Sequence, residues 1–285
     1  MKRLIVTADD FGASRPVNQA IEQAHQNGIL TTASLMVGAA AAQDAVECAK
    51  RMPALKVGLH VVLVCGRPLM PAARIPDLMD DQGNFSTHLV RAGVNFFFRP
   101  NVRQQLETEI RAQFAAFHDT GLTLDHVNAH NHMHVHPTVL SLILKVGQEF
   151  GVRAVRLPYE PLLSSWCAAR NTMPRRLTRS LLLNPWISLM KWRLKKKRIA
   201  YNDYIFGMND TGHMTEARVL ELLAHLPLGV SEMYFHPALA RWDGMDPAMA
   251  DYYFEEEFRA LTSPAVAGAL LQYGIQKISF SDLAA

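Results

Sequence analysis

Short apolar runs recur along this chain, separated by stretches of helical period, and the runs that matter most stop at an acid or a histidine. Leu4–Ala8 runs into Asp9 and Asp10, Lys56–Val64 carries His60, Leu124–Ala129 opens onto a histidine-rich stretch, and Glu232–Phe235 ends at His236. Runs of this length suit strands of a buried parallel sheet. Thr31–Val37, Ala154–Leu157 and Lys277–Phe280 read the same way. Helical stretches lie between them at Val17–Gln26, Ala40–Arg51 and Val102–Asp119, from Pro137 to Gly151, around Thr215–Leu226, and between Asp251 and Tyr273. Ser14 is placed to cap the first of these and Gly28 to stop it. Strand alternating with helix means βα units and a parallel sheet. About seven or eight such units predict an irregular TIM-like barrel, with a doubly wound open sheet as the alternative. A chain of 285 residues, 49% hydrophobic, can bury one such core as a single domain over 1–285.

Several function classes drop out early. Formal net charge is only +3, which gives no global field for nucleic acid. The three cysteines, Cys48, Cys65 and Cys167, are widely spaced and form no CxxC pair, so a reducing compartment is expected. The opening Met-Lys-Arg mimics a signal peptide, but its apolar stretch fails at Asp9, and no run reaches the roughly 18 apolar residues of a membrane span. The expected address is the cytoplasm.

Charge is unevenly placed, however. The stretch Pro161–Asn202 holds ten of the 29 Lys and Arg and no acid, leaving 19 basic against 26 acidic residues elsewhere. It is treated as a basic, apolar insertion at about 161–202. Within it, Leu181–Arg198 (LLLNPWISLMKWRLKKKR) runs two tryptophans directly into a cationic cluster. Pro185 interrupts it, and it is too short to span a bilayer. It matches a segment lying on an anionic membrane surface, peripheral to the inner face, or a core helix followed by a solvated charged turn.

The chemistry concentrates where strands end. Barrel strands present their C-terminal ends to one shared site, so Asp9, Asp10, His60, the histidine run and His236 are aimed at one place. Two adjacent carboxylates closing an apolar strand are costly without a partner. In Asp125–Pro137, strand alternation would put Asn128, His130 and His132 on one face. His126, His134 and His136 read as polar loop residues or supports. An Asp with two His is a common set for a hydrolytic divalent ion, zinc favoured and magnesium next. Ligands on separate strands build one pocket, which argues against a metal-storage tract. A deaminase of the amidohydrolase type would carry His-x-His on its first strand, where this chain has acids.

Taken together, Thr-Ala-Asp-Asp-Phe-Gly (7–12), Val-Gly-Leu-His (57–60), the histidine run (126–134) and Phe-His-Pro-Ala (235–238) resemble the YdjC-like carbohydrate deacetylases, over nearly the whole chain and in the same order. A narrower likeness to the branch associated with hopanoid biosynthesis rests on the histidine run together with 91–100 (RAGVNFFFRP) and 156–161 (RLPYEP). The resemblance implies an irregular TIM-type barrel, often a homodimer, that hydrolyses the acetamide of N-acetylglucosamine units, on a hopanoid lipid for the narrower branch or on a soluble saccharide otherwise. It implies Asp10, His60 and His130 as metal ligands, Asp9 as general base and His236 as acid. His132, Asn128 and Arg156 are expected at the substrate, Arg156 holding it, orienting an acid, or standing as a solvated surface residue. Relatives acting on soluble chito-oligosaccharides have Asp-Ser-His where this chain has Asn128-Ala129-His130, so the carboxylate that tunes a ligand imidazole is absent.

Overall fold

The structure, a computed structural model, describes residues 1–169 and 173–284. In chain order the elements are β1 (Lys2–Phe11), α1 (Arg15–Asn27), β2 (Thr32–Leu35), α2 (Ala42–Arg51), β3 (Lys56–Val61), α3 (Leu89–Phe98), α4 (Pro100–Asp119), β4 (Leu124–Ala129), α5 (Pro137–Gly147), α6 (Leu162–Ala169), α7 (Met173–Lys196), β5 (Tyr204–Phe206), α8 (Glu216–Ala224), β6 (Gly229–Phe235), α9 (Phe254–Thr262), α10 (Pro264–Gln272) and β7 (Ile275–Ile278). The helix starts are written locally. Ser14 Oγ accepts from Val17 N, Thr215 from Arg218 N, and Ser263 from the amides of Ala265 and Val266. Proline opens α4, α5 and α10, where its missing N–H costs nothing.

All strand pairings are parallel, in the order β4-β3-β2-β1-β6-β5. On the edge of β1 opposite β6, β7 pairs with Lys2–Ile5 while β2 takes the half beyond, Thr7–Phe11. β1 is therefore central, and Leu4–Phe11 is buried throughout. The sheet is a curled, incompletely closed barrel. From β4 toward β5 the strip around 154–159 makes only isolated bridges, Val127 to Val155 and Ala154 to Ala200, with Tyr159 O accepting from Ile205 N. The strand expected at Ala154–Leu157 thus forms no ladder. Leu157 N and O are both taken by the Asn202 amide, at 2.8 and 2.9 Å, and Pro158 has no N–H to offer.

Two further departures lie outside the sheet's centre. The connection after β3 contains α3, which is not among the helical stretches read from the sequence. In the basic insertion, α7 continues through Pro185, and Arg170 lies outside the described residues. Ile187, Met190 and Leu194 pack inward, while Trp186 and Trp192 stay exposed. Among the described residues no helix is long and apolar enough to cross a membrane.

Candidate active site

The end of β1 brings two neighbouring carboxylates to one place by breaking its own pleat. Between Ala8 and Phe11 its register against β2 slips by one residue, and Asp10 sits at φ +61°. A bulge with a left-handed residue re-aims side chains that simple alternation would send to opposite faces, and such strain persists only where surroundings enforce it. Gly12 then turns the chain at φ +95°, where an added Cβ would lie 3.1 Å from Ala42 Cα. A second glycine has a similar steric reason. A Cβ on Gly58 would fall 2.5 Å from the His126 ring, so the Val-Gly-Leu-His motif lets that imidazole lie against β3.

Asp10 Oδ1, His60 Nε2 and His130 Nδ1 form a closed triangle with sides of 3.3, 3.2 and 3.4 Å. All three residues are buried and their donor atoms converge as a group able to hold a metal ion. The electrostatics ask for a cation here. Burial penalises the charged form of His130, yet the adjacent Asp10 carboxylate raises its pKa; burial pushes Asp10 up, and the two imidazoles bring it well below the carboxylate range. The donor set therefore fits a divalent ion, which supplies that positive charge more fully than a proton.

Asn128 is the positioning residue beneath this triangle. Its Oδ1 accepts from His60 Nδ1 at 2.7 Å, which leaves the Nε2 lone pair for the cluster. Its Nδ2 donates to Asp9 Oδ1 at 3.1 Å and to Ser34 Oγ at 2.9 Å. The amide thus orients His60, and orientation survives the loss of a carboxylate at this position. Asn128 is wholly buried.

Asp9 is clamped by Arg156, whose Nη1 and Nη2 donate to its two oxygens at 2.6 and 3.0 Å. Nε and Nη2 of Arg156 also donate to Glu232, which accepts from Thr7 Oγ1 as well. Burial alone would raise Asp9, but the Arg156 guanidinium and His60 outweigh it and hold the carboxyl below the usual range. Arg156 is 0% exposed, and its guanidinium donates to both carboxylates, Asp9 and Glu232.

The histidine run leaves strand geometry at His130, because Asn131 and His132 both take φ +53°. His132 therefore parts from Asn128 and His130. Its Nε2 lies 3.1 Å from Tyr234 Oη. His126 is a support, bonded to Asp125 at 2.9 Å and stacked on Phe280. Burial drops His134 to about 3, so it is neutral, and His136 caps α5 through Thr138 N. His236 packs against Tyr234 and Tyr252. Burial lowers its pKa despite Asp10 and Asp9, and its backbone N–H donates to Glu257. Glu257 is pushed by burial to about 7, against the two amides it accepts from.

A cavity of about 210 Å³ opens over this cluster, with Asp9, His60, His130, His132, Tyr234 and His236 in its wall. A second, of about 200 Å³, meets it at His130, Asp246 and Met249 and reaches Asp10 and Trp242. Glu232, Ser34, Tyr234 and Asp246 escaped sequence reasoning. Only Glu232 carried a signal, as a lone charge inside the apolar run Gly229–Phe235.

The YdjC-like protein family matches residues 3–272. A carbohydrate deacetylase of Brevibacillus brevis is 31% identical over 284 residues, covering 99% of each chain. One of Geobacillus stearothermophilus is also 31% identical, covering 98% of this chain and 96% of its own. Among solved structures, an Enterococcus faecalis protein provisionally described as a cellobiose-phosphate cleavage protein superposes with TM-score 0.76 at 23% identity, over 100% of this chain and 99% of that one. That likeness concerns the fold.

Proposed function

Because the chain belongs to the YdjC-like family, we propose that it is a carbohydrate deacetylase that uses one divalent metal ion to hydrolyse the acetamide of an N-acetylglucosamine unit. The observation that carries this reading is the Asp10–His60–His130 triangle, set beside an ionised Asp9 and the imidazole of His236. An Asp with two imidazoles is a donor set that suits zinc over magnesium. Held by Asp10, His60 and His130, such an ion would supply Lewis acidity toward the water and the amide carbonyl.

The protein's own groups then move the protons. Arg156 and Asn128 occupy three of Asp9's roughly four lone-pair sites and leave one on Oδ2. That site accepts the water's proton. Held far below neutrality, Asp9 is a weak base, so its contribution falls toward the lower end of the usual factor of about 10²–10⁴. His236 protonates the departing sugar nitrogen, which leaves poorly as an anion. Its lowered pKa means that the acid form dwindles as pH rises through that value, so the alkaline limb of kcat belongs to His236. His132, paired with Tyr234, lines the cavity where the sugar sits.

The substrate we favour is an N-acetylglucosaminyl lipid of the hopanoid class, approached from an anionic membrane surface through residues 181–198. The α7 surface supports this, because Leu181, Leu182 and Trp192 are exposed by 66%, 68% and 58% beside Lys195 and Lys196. A soluble N-acetylated mono- or oligosaccharide is the second reading, and it is equally compatible with relatives named carbohydrate deacetylases. Acetate release from both substrate forms, with metal content measured on the same protein, tests the proposal. Asp10→Ala, His60→Ala and His130→Ala should each lose the metal and turnover while staying folded; full occupancy in all three would sink the ligand assignment. Replacing Lys195, Lys196, Lys197 and Arg198 with Gln should slow only the membrane-held substrate. Equal slowing of both forms would assign the segment to the fold.

A further inference from the structure

The helix α3 is built inside out. Its buried residues are Ala92 and Phe96. The opposite face carries Val90, Val94, Phe97 and Phe98, exposed by 83%, 52%, 39% and 71%. At about 100° per residue these four fall within roughly 100° of one another, so they make a stripe and are not scattered surface residues. Single exposed apolar side chains need no explanation, whereas a contiguous stripe marks an interaction surface.

Charge and position indicate what covers it. Between Asp81 and Glu107 the chain has three arginines, Arg91, Arg99 and Arg103, and no acid. Arg91 is exposed, and Arg99 remains about half exposed while sharing Asp77 at 3.0 Å. Leu89, the first residue of α3, lines the same cavity as His60 and His130. At the other end, the Phe97 ring lies 6.0 Å from that of His136, just before α5. Arg193 of α7 donates to Pro137 O and Ser141 Oγ in the first two turns of α5. Two helices with exposed apolar residues and neighbouring cations thus flank the chain segment that leaves the histidine run. A second copy of this chain is a poorer occupant, since a twofold pairing of α3 would set arginines near arginines.

We propose that α3 is a membrane-docking helix, lying in the interface of an anionic bilayer. Val90, Val94, Phe97 and Phe98 face the acyl–headgroup boundary, and Arg91 and Arg99 lie at phosphate level. This deepens the lipid-substrate reading and rests on it for its purpose, because a substrate held in a membrane must reach the cavity that Leu89 borders. Apolar burial supplies a salt-resistant component of binding, while the cations supply a screened one.

Sedimentation with phosphatidylcholine vesicles, with and without phosphatidylglycerol, tests it on the full chain. The wild type should bind the anionic vesicles, and part of that binding should persist at high salt. The double variant V90S/F98S, whose side chains are the two most exposed in the stripe, should bind at least tenfold more weakly, with its salt-resistant part reduced to what α7 supplies. Its turnover of a soluble N-acetylglucosamine substrate should match the wild type, which also shows that it folds. Wild-type protein that ignores anionic vesicles, or a variant that binds them equally well, would overturn the proposal. So would a wild-type dimer that the variant converts to monomer, since the stripe would then belong to a second copy. A wild type that docks but releases no acetate from any substrate fails the deacetylase reading and leaves the docking helix standing.

Discussion

Beneath the site and along its rim, this molecule inverts the usual distribution of polarity in opposite senses. Under the site, Arg156, Glu232 and Asp9 are charged and almost wholly removed from solvent. Along α3 and α7, Phe98, Leu181 and Trp192 stand in the open. The buried charges hold one another, through Arg156 to Asp9 and Glu232 and on through Thr7 to Thr32. Desolvating such a set offsets most of its Coulombic gain, so its use is geometric: it fixes one carboxylate beside the Asp10–His60–His130 group. The difference teaches that a polar group in the core is fixed by its partners, whereas an apolar group left outside is a surface that the docking proposal accounts for.

The largest effect should come from removing the cation of the buried set. Arg156→Met leaves two carboxylates unpaired and should cost about 3–5 kcal/mol of unfolding free energy, read by denaturant titration, with loss of activity. A cost under about 1 kcal/mol would mean that water reaches the triad, and the contrast with the rim would fail. Asp9→Asn keeps Arg156 paired with Glu232 and should keep the metal, while kcat falls by a factor of about 10² or more and KM moves little. A drop below tenfold would make Asp9 a positioning group. Asn128→Ala frees His60 and should weaken metal affinity about 10–100-fold, measured by competition with a chelator. Unchanged affinity would show that packing alone orients the ring.

A smaller effect sharpens the buried side of the comparison. Asp125 is held below its ordinary value, because bonds from His126 and Ser281 outweigh the upward push of burial. Its stabilising contribution is complete above its unfolded pKa, near 4, and disappears as pH falls through the depressed folded value. Asp125→Asn should therefore flatten the acid limb of the stability curve; an unchanged limb would place acid sensitivity in other carboxylates. The smallest effect belongs to the rim, where V90S/F98S should change unfolding free energy by no more than about 0.5 kcal/mol. A larger loss would mean that the stripe packs within the fold.

Much of this was legible along the chain. The apolar runs at Leu4–Ala8, Lys56–Val64, Leu124–Ala129 and Glu232–Phe235 gave the sheet its strands, and their polar ends gave the residues that meet in space. What misled was periodicity carried too far. Strand alternation joined His132 to Asn128 and His130, but two left-handed residues turn His132 toward Tyr234. The run Ala154–Leu157 has strand composition but no ladder, because Asn202 and Pro158 absorb or remove its backbone partners. The helix α3 was not among the helical stretches read from the sequence.

The sequence by itself determined the parallel strands, the helix caps and the polar strand ends that supply the three candidate ligands, because those follow from period, composition and local capping. Only the tertiary structure decided which partner each polar group faces. It took a bulge at Asp10 to bring two adjacent carboxylates into one site, a curled sheet to set Arg156 behind Asp9 across 147 positions, and the packing of β3 against β4 to set Asn128 beside His60. Such pairings depend on register and curvature summed over the whole sheet, and no local stretch of chain contains them.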